Sequence, residues 1–246
     1  MRYRRVVLKL SGESLGGAAG AGLDPASLRQ RAQDIVEARS LGVDVGVVPG
    51  GGNILRGAGS IVPLDRVAAD SMGMLATVIN ALALAEQIRL LGSPAFVRSA
   101  FAIGSLVEPF VAAEARALIA DGCIGIFAGG TGNPYFTTDT AAVLRALEIG
   151  AEAVLKGTRV DGVYTDDPEQ VPGATRYAQL SLDDALSGNL RFMDRTAMAL
   201  CRDHRLPVVV FDQTRPKAMR HVLMGETEGT LVGMVSTVPA EGVIRS

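Results

Sequence analysis

Two short segments near the start of the chain combine glycine with charged or hydroxyl side chains, which are the residue types that hold phosphate groups. They are residues 9–12 (KLSG) and residues 50–53 (GGGN), the latter followed by Arg56. Glycine lets backbone N–H groups approach anionic oxygens because no Cβ stands in the way. A lysine such as Lys9 in an apolar run is costly unless its ammonium emerges beside an anion. Both segments predict phosphate contacts, although each glycine turn alone is equally typical of a change of chain direction.

Two later segments add side chains that suit a nucleotide. Residues 129–139 (GGTGNPYFTTD) bring together glycines, hydroxyls, an amide, two aromatic rings and the carboxylate of Asp139. As a group they predict a pocket for a base and an oxyanion beside a helix N-terminus, whereas Asp139 alone is more typical of a helix N-cap. Residues 156–168 (KGTRVDGVYTDDP) begin with Lys156 and include Tyr164, whose ring can pack against a purine. By itself this last segment is also compatible with a charged surface hairpin.

The phosphate-binding motifs of several other folds do not match. The Walker sequence GxxxxGK[ST] is absent, and the glycine spacing fails GxGxxG in the strand-to-helix context of a dinucleotide site. With 24 basic and 26 acidic residues the formal net charge is -2, which offers no general attraction to nucleic acid or to an anionic membrane. Any polyanion must therefore be held by local groups such as those above.

The elements that must position these segments alternate between strands and helices. Hydrophobic residues make up 48% of the chain and aromatic residues 4%, which suits a parallel sheet packed with Ala, Val, Leu and Ile. Asp24 before Pro25 is a helix N-cap signal and Gly42 ends that helix, which gives one strand–helix–strand crossover. Continuous apolar runs predict strands at 5–10, 43–48, 95–97, 123–127, 153–155 and 208–211. Further helices are predicted at 66–91, 109–121, 139–149, 194–204 and 216–224. The pattern predicts an α/β protein, a three-layer αβα sandwich with a mostly parallel central sheet.

The chain is predicted to form one domain, residues 1–246, with two lobes. The irregular stretch 157–178 separates a first lobe of about 1–155 from a second of about 156–233. Residues 234–246 form a tail that is expected to fray or, alternatively, to contact another subunit. The longest apolar stretch, 72–85, is too short for a membrane-spanning helix of about 20 residues. The two cysteines, Cys123 and Cys201, show no CxxC or zinc spacing, so we expect buried, reduced thiols in a soluble cytoplasmic protein.

The motifs resemble those of the bacterial uridylate kinases of the amino acid kinase family. The resemblance runs from about Arg4 to about Gly233 and includes KLSGE, GVVPGGGNILRG, DSMGMLATVINALA, TGNPYFTTD and KGTRVDGVYTDDP, in this order. TGNPYFTTD and D-x-MGMLAT-x-x-N match the uridylate branch, whereas the glycine motifs are shared with kinases of aspartate, acetylglutamate, glutamate and carbamate. The resemblance implies the amino acid kinase fold and ATP-dependent phosphorylation of UMP to UDP in pyrimidine nucleotide biosynthesis.

The resemblance also implies a role for each matching residue. The implied catalytic residues are Lys9, Arg56, Asp139 and Lys156, with Asp139 organising the cations. The implied ATP site comprises Lys9, Leu10, Ser11, Gly12, Gly52 and Arg56 along the phosphates and Thr158, Tyr164 and Asp167 around the adenosine. The implied UMP site comprises Gly51, Asp70, Thr131, Gly132, Asn133, Pro134, Tyr135, Phe136, Thr137 and Thr138, where Asp70 holds the ribose. Mg²⁺ is the implied cofactor, bound through the ATP phosphates rather than directly by the protein.

Family members are usually hexamers, so the resemblance implies a homohexamer, with GTP as activator and UTP as inhibitor. The family's effector loop falls on Gly17, Ala18, Ala19, Gly20, Ala21 and Gly22, which lack the acidic and aromatic residues associated with that loop. Neither nucleic acid nor a membrane is an implied partner.

Two alternatives remain from the residues: a kinase of the same fold that acts on a small carboxylate or carbamate, and a non-catalytic oxyanion-binding protein. Asp70 and TGNPYFTTD argue against the first. The joint retention of Lys9, Asp139 and Thr158 argues against the second.

Overall fold

A computed structural model gives the protein one continuous β-sheet. It describes residues 1–55, 64–168, 170–188, 190–226 and 228–244. Residues 241–244 are described by their backbone only. The strands are β1 (Arg5–Leu10), β2 (Asp44–Pro49), β3 (Ala95–Ser99), β4 (Ile124–Ala128), β5 (Ala153–Thr158), β6 (Thr175–Ser181), β7 (Val208–Asp212), β8 (Thr230–Gly233) and β9 (Val238–Ile244). The helices are α1 (Pro25–Ser40), α2 (Arg66–Leu90), α3 (Ala112–Ala120), α4 (Thr138–Ile149), α5 (Leu182–Ser187), α6 (Arg195–Asp203) and α7 (Ala218–Met224).

The sheet is mostly parallel, as predicted. Its strand order is β3-β4-β2-β1-β5-β7-β8-β6-β9. All pairings from β3 to β7 in this order are parallel, and so is the pairing of β8 with β6. Antiparallel pairing joins β7 to β8 and β6 to β9. The six strands from β3 to β7 in this order therefore have their carboxyl ends at the same edge of the sheet.

Helices cover both faces of the sheet, so the predicted three-layer αβα sandwich is confirmed. Side chains alternate between the faces along each strand. On β1, Val6 and Leu8 join a core packed with α1, α2 and α7, whereas Val7 joins a second core with α3, α4, α5 and α6. On β7, Val209 and Val210 divide in the same way.

The predicted strands all form, and most end within two residues of the predicted limits. The largest difference is at β5, which continues to Thr158, three residues past its apolar run. The sequence analysis missed β6, β8, β9 and α5. The expectation of a frayed tail was wrong for residues 238–244, because β9 pairs with β6.

Helix α2 is longer than its apolar stretch suggested. It has 25 residues and, by length and composition alone, is long enough to cross a membrane. Core helices of soluble proteins pass the same test, and α2 buries Ala81, Leu84 and Ile88 in the first core. Its packing is that of a helix laid along a sheet.

The two thiols differ in burial. Cys201 is buried, as predicted, whereas Cys123 is only half-buried, so that prediction was wrong for Cys123. Burial, together with the negative charge of Asp194, raises the pKa of the Cys201 thiol to about 12. Cys201 is therefore a protonated core residue at neutral pH.

Candidate active site

Two lysines lie side by side at the carboxyl edge of the sheet. Lys9 on β1 is the register partner of Lys156 on β5, so their side chains leave the same face of neighbouring parallel strands. Helix α4 covers this face, and its first turn carries Asp139. The Asp139 carboxylate lies 3.0 Å from Lys9 Nζ through Oδ1 and 2.5 Å from Lys156 Nζ through Oδ2. Asp139 therefore bridges two ammonium groups.

The electrostatics of this cluster depend on burial. Asp139 is 8% exposed and Lys156 is 7% exposed. Burial raises the pKa of the Asp139 carboxyl, but the charges of Lys9 and Lys156 outweigh that effect and hold the pKa below its ordinary value. Burial and the nearby charge of Lys9 lower the pKa of Lys156 to about 8, against the opposing effects of Asp139 and Asp194. The cluster is an ionised carboxylate that holds two cations in place.

Asp194, the N-cap of α6, fixes the start of α4. Its carboxylate accepts hydrogen bonds from the hydroxyls of Thr137 at 2.5 Å and Thr140 at 3.0 Å, and from the backbone N–H of Ala197 at 2.9 Å. Thr137 is the N-cap of α4 and accepts from the Asp139 N–H. Asp139 therefore lies in the first turn of α4 rather than at its N-cap.

The two N-terminal glycine segments touch each other at this edge. A Cβ on Gly12 would lie 2.6 Å from the backbone nitrogen of Gly52 and from the side chain of Asn53. A Cβ on Gly51 would lie 2.8 Å from the carbonyl oxygen of Gly73 on α2. Glycine at both positions is thus required by close packing between the loops and α2.

The segment after β4 presents exposed aromatic rings beside α2. Tyr135 is 66% exposed and Phe136 is 50% exposed, so neither ring is buried in the hydrophobic core. The Asp70 carboxylate accepts from the Tyr135 N–H at 2.7 Å and from Arg66 Nε at 2.7 Å. Despite partial burial, these two hydrogen bonds hold the pKa of Asp70 below its ordinary value. Asp70 therefore ties this segment to the beginning of α2.

One cavity is lined by the two lysines, and another is lined by the residues that follow β5 and α5. A cavity of about 240 Å³ is lined by Lys9, Ser11, Lys156, Thr158 and Gln213, among others. A second cavity of about 620 Å³ is lined by residues of 160–168 and 188–192, which include Tyr164, Asp167 and Phe192. The first has the cationic lining that phosphate requires, and the second has the apolar and carboxylate lining that suits a nucleoside.

The sequence matches the family model of the amino acid kinase family over residues 4–212. That match covers most of the chain, including β1 to β7 and every residue of the lysine cluster. The chain belongs to the amino acid kinase family.

Solved structures of this family resemble the whole chain. UMP kinase from Bacillus anthracis is 35% identical with a TM-score of 0.93, over 98% of this chain and 100% of that one. UMP kinase from Ureaplasma parvum is 37% identical with a TM-score of 0.88, over 95% and 100% of the two chains. Uridylate kinase from Archaeoglobus fulgidus is 26% identical with a TM-score of 0.70, over 93% and 99%.

The three residues of this amino acid kinase that were predicted to surround the adenosine line two different cavities. Thr158 lines the smaller cavity and donates to the Val160 carbonyl at 2.6 Å, whereas Tyr164 and Asp167 line the larger one. The Tyr164 hydroxyl is committed to Asp161 at 2.7 Å, and the residue is 5% exposed. Thr158 therefore lines a different cavity from Tyr164 and Asp167, and their predicted grouping around the adenosine stays a prediction.

Leu10, Arg56 and the predicted effector loop, residues 17–22, have different surroundings. The side chain of Leu10 is 1% exposed in the first core, so only its backbone reaches the loops, and there its carbonyl accepts from the Gly50 N–H. Arg56 lies outside the described residues. The effector-loop segment joins the second glycine loop, because Gly22 exchanges two hydrogen bonds with Asn53.

Sequence reasoning missed two residues of the site. Asp194 carried only an N-cap signal, and nothing in its neighbourhood indicated that its carboxylate would also reach α4. Gln213 follows β7, is 4% exposed and lines the smaller cavity, and its amide atoms have no hydrogen-bond partner within the described part of the chain. No sequence motif indicated it.

Proposed function

We propose that the protein is an ATP-dependent UMP kinase, which forms UDP and ADP in pyrimidine nucleotide biosynthesis. The observation that carries the proposal is the pair of lysines, Lys9 and Lys156, bridged by Asp139 at the edge where the glycine loops meet. Such a cluster suits phosphoryl transfer, and UMP as the acceptor is supported by the similarity to UMP kinases over the whole chain.

The reaction joins two polyanions, and the cluster offsets their repulsion. A phosphate oxygen of UMP forms a bond to the γ-phosphorus of ATP while the bond from that phosphorus to the bridging oxygen breaks and leaves ADP. Lys9 contacts the transferring group, Lys156 supplies a second cation, and Asp139 orients both. The UMP phosphate is already largely ionised at neutral pH, since its second pKa is about 6, so a general base is not required.

The donor and acceptor occupy different parts of the site. The ATP phosphates lie in the smaller cavity with Lys9 and Ser11, and along the adjoining Gly12 and Gly52. The adenosine lies in the larger cavity near Tyr164 and Asp167. UMP lies along residues 131–138 with Asp70 at its ribose. We assign the acceptor to a lobe of about 1–155 and ATP to a lobe of about 156–233. The exposure of Tyr135 and Phe136 supports the acceptor site, because exposed rings can contact a base.

Mg²⁺ enters this site with the nucleotide. Within residues 1–55 and the other described ranges, no group of three His, Cys, Asp or Glu side chains gathers as a metal site. Asp139 is already engaged by two ammonium groups. A metal carried by the ATP phosphates would partly neutralise their charge without a ligand from this cluster. The protein's own part is to supply Lys9 and Lys156, which line the cavity proposed for those phosphates.

Self-association into a hexamer is supported by the outer face of α2. Met72, Leu75, Ile79 and Leu82 are all between 39% and 50% exposed and recur at spacings of three and four residues. Such a stripe is typical of a helix that packs against another helix. We place the protein in the cytoplasm as a homohexamer, with GTP as activator and UTP as inhibitor. The contact of Gly22 with Asn53 supports an effector route from residues 17–22 to the second glycine loop.

A coupled assay of ADP release tests the proposal. UMP, CMP, acetylglutamate and aspartate are offered in turn with Mg²⁺ and ATP, and turnover is expected with UMP alone. Turnover with a carboxylate but not with UMP would favour the carboxylate kinase. Tight ATP binding without turnover on any acceptor would favour the oxyanion-binding protein.

A further inference from the structure

The inner face of α2 reaches both glycine segments that flank the transfer site. Thr77 and Asn80 lie one turn apart on this face, and both are buried. The Asn80 side-chain Nδ2 donates to the Gly50 carbonyl at 2.7 Å. The Thr77 hydroxyl accepts from the Gly129 N–H at 2.8 Å. One helix turn therefore contacts the loop after β2 and the loop after β4.

A reciprocal amide pair strengthens the first of these contacts. Asn80 Nδ2 donates to Asn53 Oδ1 at 2.7 Å, and Asn53 Nδ2 donates to Asn80 Oδ1 at 3.0 Å. Asn53 Nδ2 also donates to the Gly22 carbonyl at 2.7 Å. The two side chains are 0% and 4% exposed, and a buried amide pair whose hydrogen bonds are satisfied favours a single geometry.

The second contact is equally defined. The Thr77 hydroxyl donates to the Met74 carbonyl at 2.7 Å while it accepts from Gly129, so both of its roles are used inside the protein. Gly129 has φ of 76° and begins the turn that leads to residues 131–138. The Thr77 hydroxyl thus holds the residue that begins the turn into the proposed acceptor segment, residues 131–138.

Glycine loops need such external contacts. Glycine has the largest backbone freedom of any residue, so a loop of several glycines keeps its N–H groups aligned only when other groups fix it. Phosphoryl transfer depends on alignment, and a displacement of about 1 Å can lower a rate by about 10². The contacts of α2 lie on the donor side and the acceptor side of the same reaction.

We infer that Thr77 and Asn80 are positioning residues. They set the separation between the donor loop, residues 50–53, and the acceptor segment, residues 131–138. Neither touches a reacting atom, and both act through the backbone they hold. The inference rests on the proposed function, in which the loop at residues 50–53 contacts the ATP phosphates through Gly52 and adjoins UMP through Gly51, while residues 131–138 hold UMP. Thr77 and Asn80 should therefore affect kcat more than either KM.

The kinetic test compares Thr77→Val, Thr77→Ser and Asn80→Leu with wild type. Thr77→Val keeps the shape of the side chain and removes the acceptor of Gly129, so kcat is expected to fall by about tenfold to a hundredfold with both KM values within about threefold. Thr77→Ser is expected to restore most of the rate. Asn80→Leu is expected to lower kcat at least as much, and Thr77→Val remains informative if Asn80→Leu fails to fold.

Val78→Ala is the matched control, since Val78 is a buried α2 residue of the first core with no polar contact to the loops. Tm and kcat are measured for every variant, so that a fall of kcat can be compared with the fall that Val78→Ala shows for a similar loss of Tm. An equal fall of kcat in Val78→Ala and Thr77→Val, or no rescue by serine, would overturn the inference.

Hydrogen exchange separates this inference from the proposed function. Thr77→Val is expected to raise exchange in peptides covering 129–133, and Asn80→Leu in peptides covering 50–53, with other peptides unchanged. Those changes, found in a protein that does not phosphorylate UMP, would support the loop contacts while contradicting the UMP kinase proposal. Unchanged exchange in both peptides would overturn the inference whatever the acceptor.

Discussion

Asp139 lies between two lysines because three elements meet at one point. The register of β1 and β5 places Lys9 beside Lys156, and the N-terminus of α4 brings the carboxylate over them. Two like charges so close and so buried would repel each other and pay a large desolvation cost without it. The bridge keeps both ammonium groups charged and aimed toward the smaller cavity. At the residue scale, this is the arrangement that phosphoryl transfer requires.

Removing the charge of Lys9 tests its assigned contact with the transferring group. Lys9→Met is expected to lower kcat by about 10²–10³, the scale for loss of one preorganised electrostatic group. Steady-state kinetics with ATP and UMP measure the effect. Lys217→Met is the control, since Lys217 is exposed and lies outside the cluster. Near-normal turnover of a folded Lys9→Met enzyme would rule out the role.

The lowered pKa of Lys156 predicts a pH dependence. A lysine whose pKa is about 8 in the free enzyme loses its charge as the pH rises through that value, so kcat/KM for ATP is expected to fall above about pH 8. UMP and ATP phosphates are already ionised there and do not produce this limb. Bound phosphates favour the ammonium, so the matching limb in kcat should lie at higher pH. A profile of kcat/KM that stays flat from about pH 7 to 9.5 would contradict the prediction.

At the scale of elements, α2 joins the two halves of the chemistry. Its first turns carry Asp70, which holds the Tyr135 N–H, and its next turns carry Thr77 and Asn80. The three residues lie on one face because their spacings of seven and three residues match the helical repeat. The opposite face carries the exposed apolar stripe. One helix therefore supports the acceptor segment and the donor loop.

Asp70→Asn tests whether the beginning of α2 belongs to the acceptor. The change replaces a carboxylate, which can accept hydrogen bonds from the ribose hydroxyls, by an amide with one acceptor oxygen, so we expect a higher KM for UMP with the KM for ATP little changed. Initial rates with each substrate varied give both constants. Asp121→Asn, at an exposed position after α3, serves as the control. Equal weakening for both nucleotides would remove Asp70 from the acceptor site.

The elements that the sequence predicted are those whose burial is continuous. Strands β1, β2, β4, β5 and β7 are buried on both faces and appear as apolar runs. Strand β6 is mostly half-exposed and β8 has only four residues, so neither produces such a run. Strand β9 lies at the edge of the sheet, where a strand is less completely covered and need not be a continuous apolar run.

The site shows a similar division between local and long-range features. Lys9 was identified because a charge within an apolar strand is locally unusual, whereas the roles of Asp139 and Lys156 followed from the resemblance to uridylate kinases. Asp194 and Gln213 were not, because their importance arises from contacts with α4 and the smaller cavity, more than 50 residues away in sequence for Asp194. Such contacts depend on the packing of helices, which residue spacing does not specify.

At the scale of the whole molecule, the outer face of α2 predicts an assembly. Leu75→Glu with Ile79→Glu places charges at the centre of the exposed stripe, where neither residue supports the core. We expect the double variant to have a smaller molar mass than wild type by light scattering, with Tm measured alongside to check folding. Arg89→Glu, at the exposed end of the helix, is the control. An unchanged molar mass would show that another surface holds the assembly.

The central claim is that this site moves a phosphoryl group from ATP to UMP. The most direct measurement uses ATP labelled at the γ-phosphorus, with UMP and Mg²⁺, and follows the label by separation of the products. Label is expected in the β-phosphate of UDP with wild type and is expected to be almost completely lost with Lys9→Met. Label released only as inorganic phosphate, or transferred only to a carboxylate acceptor, would contradict it.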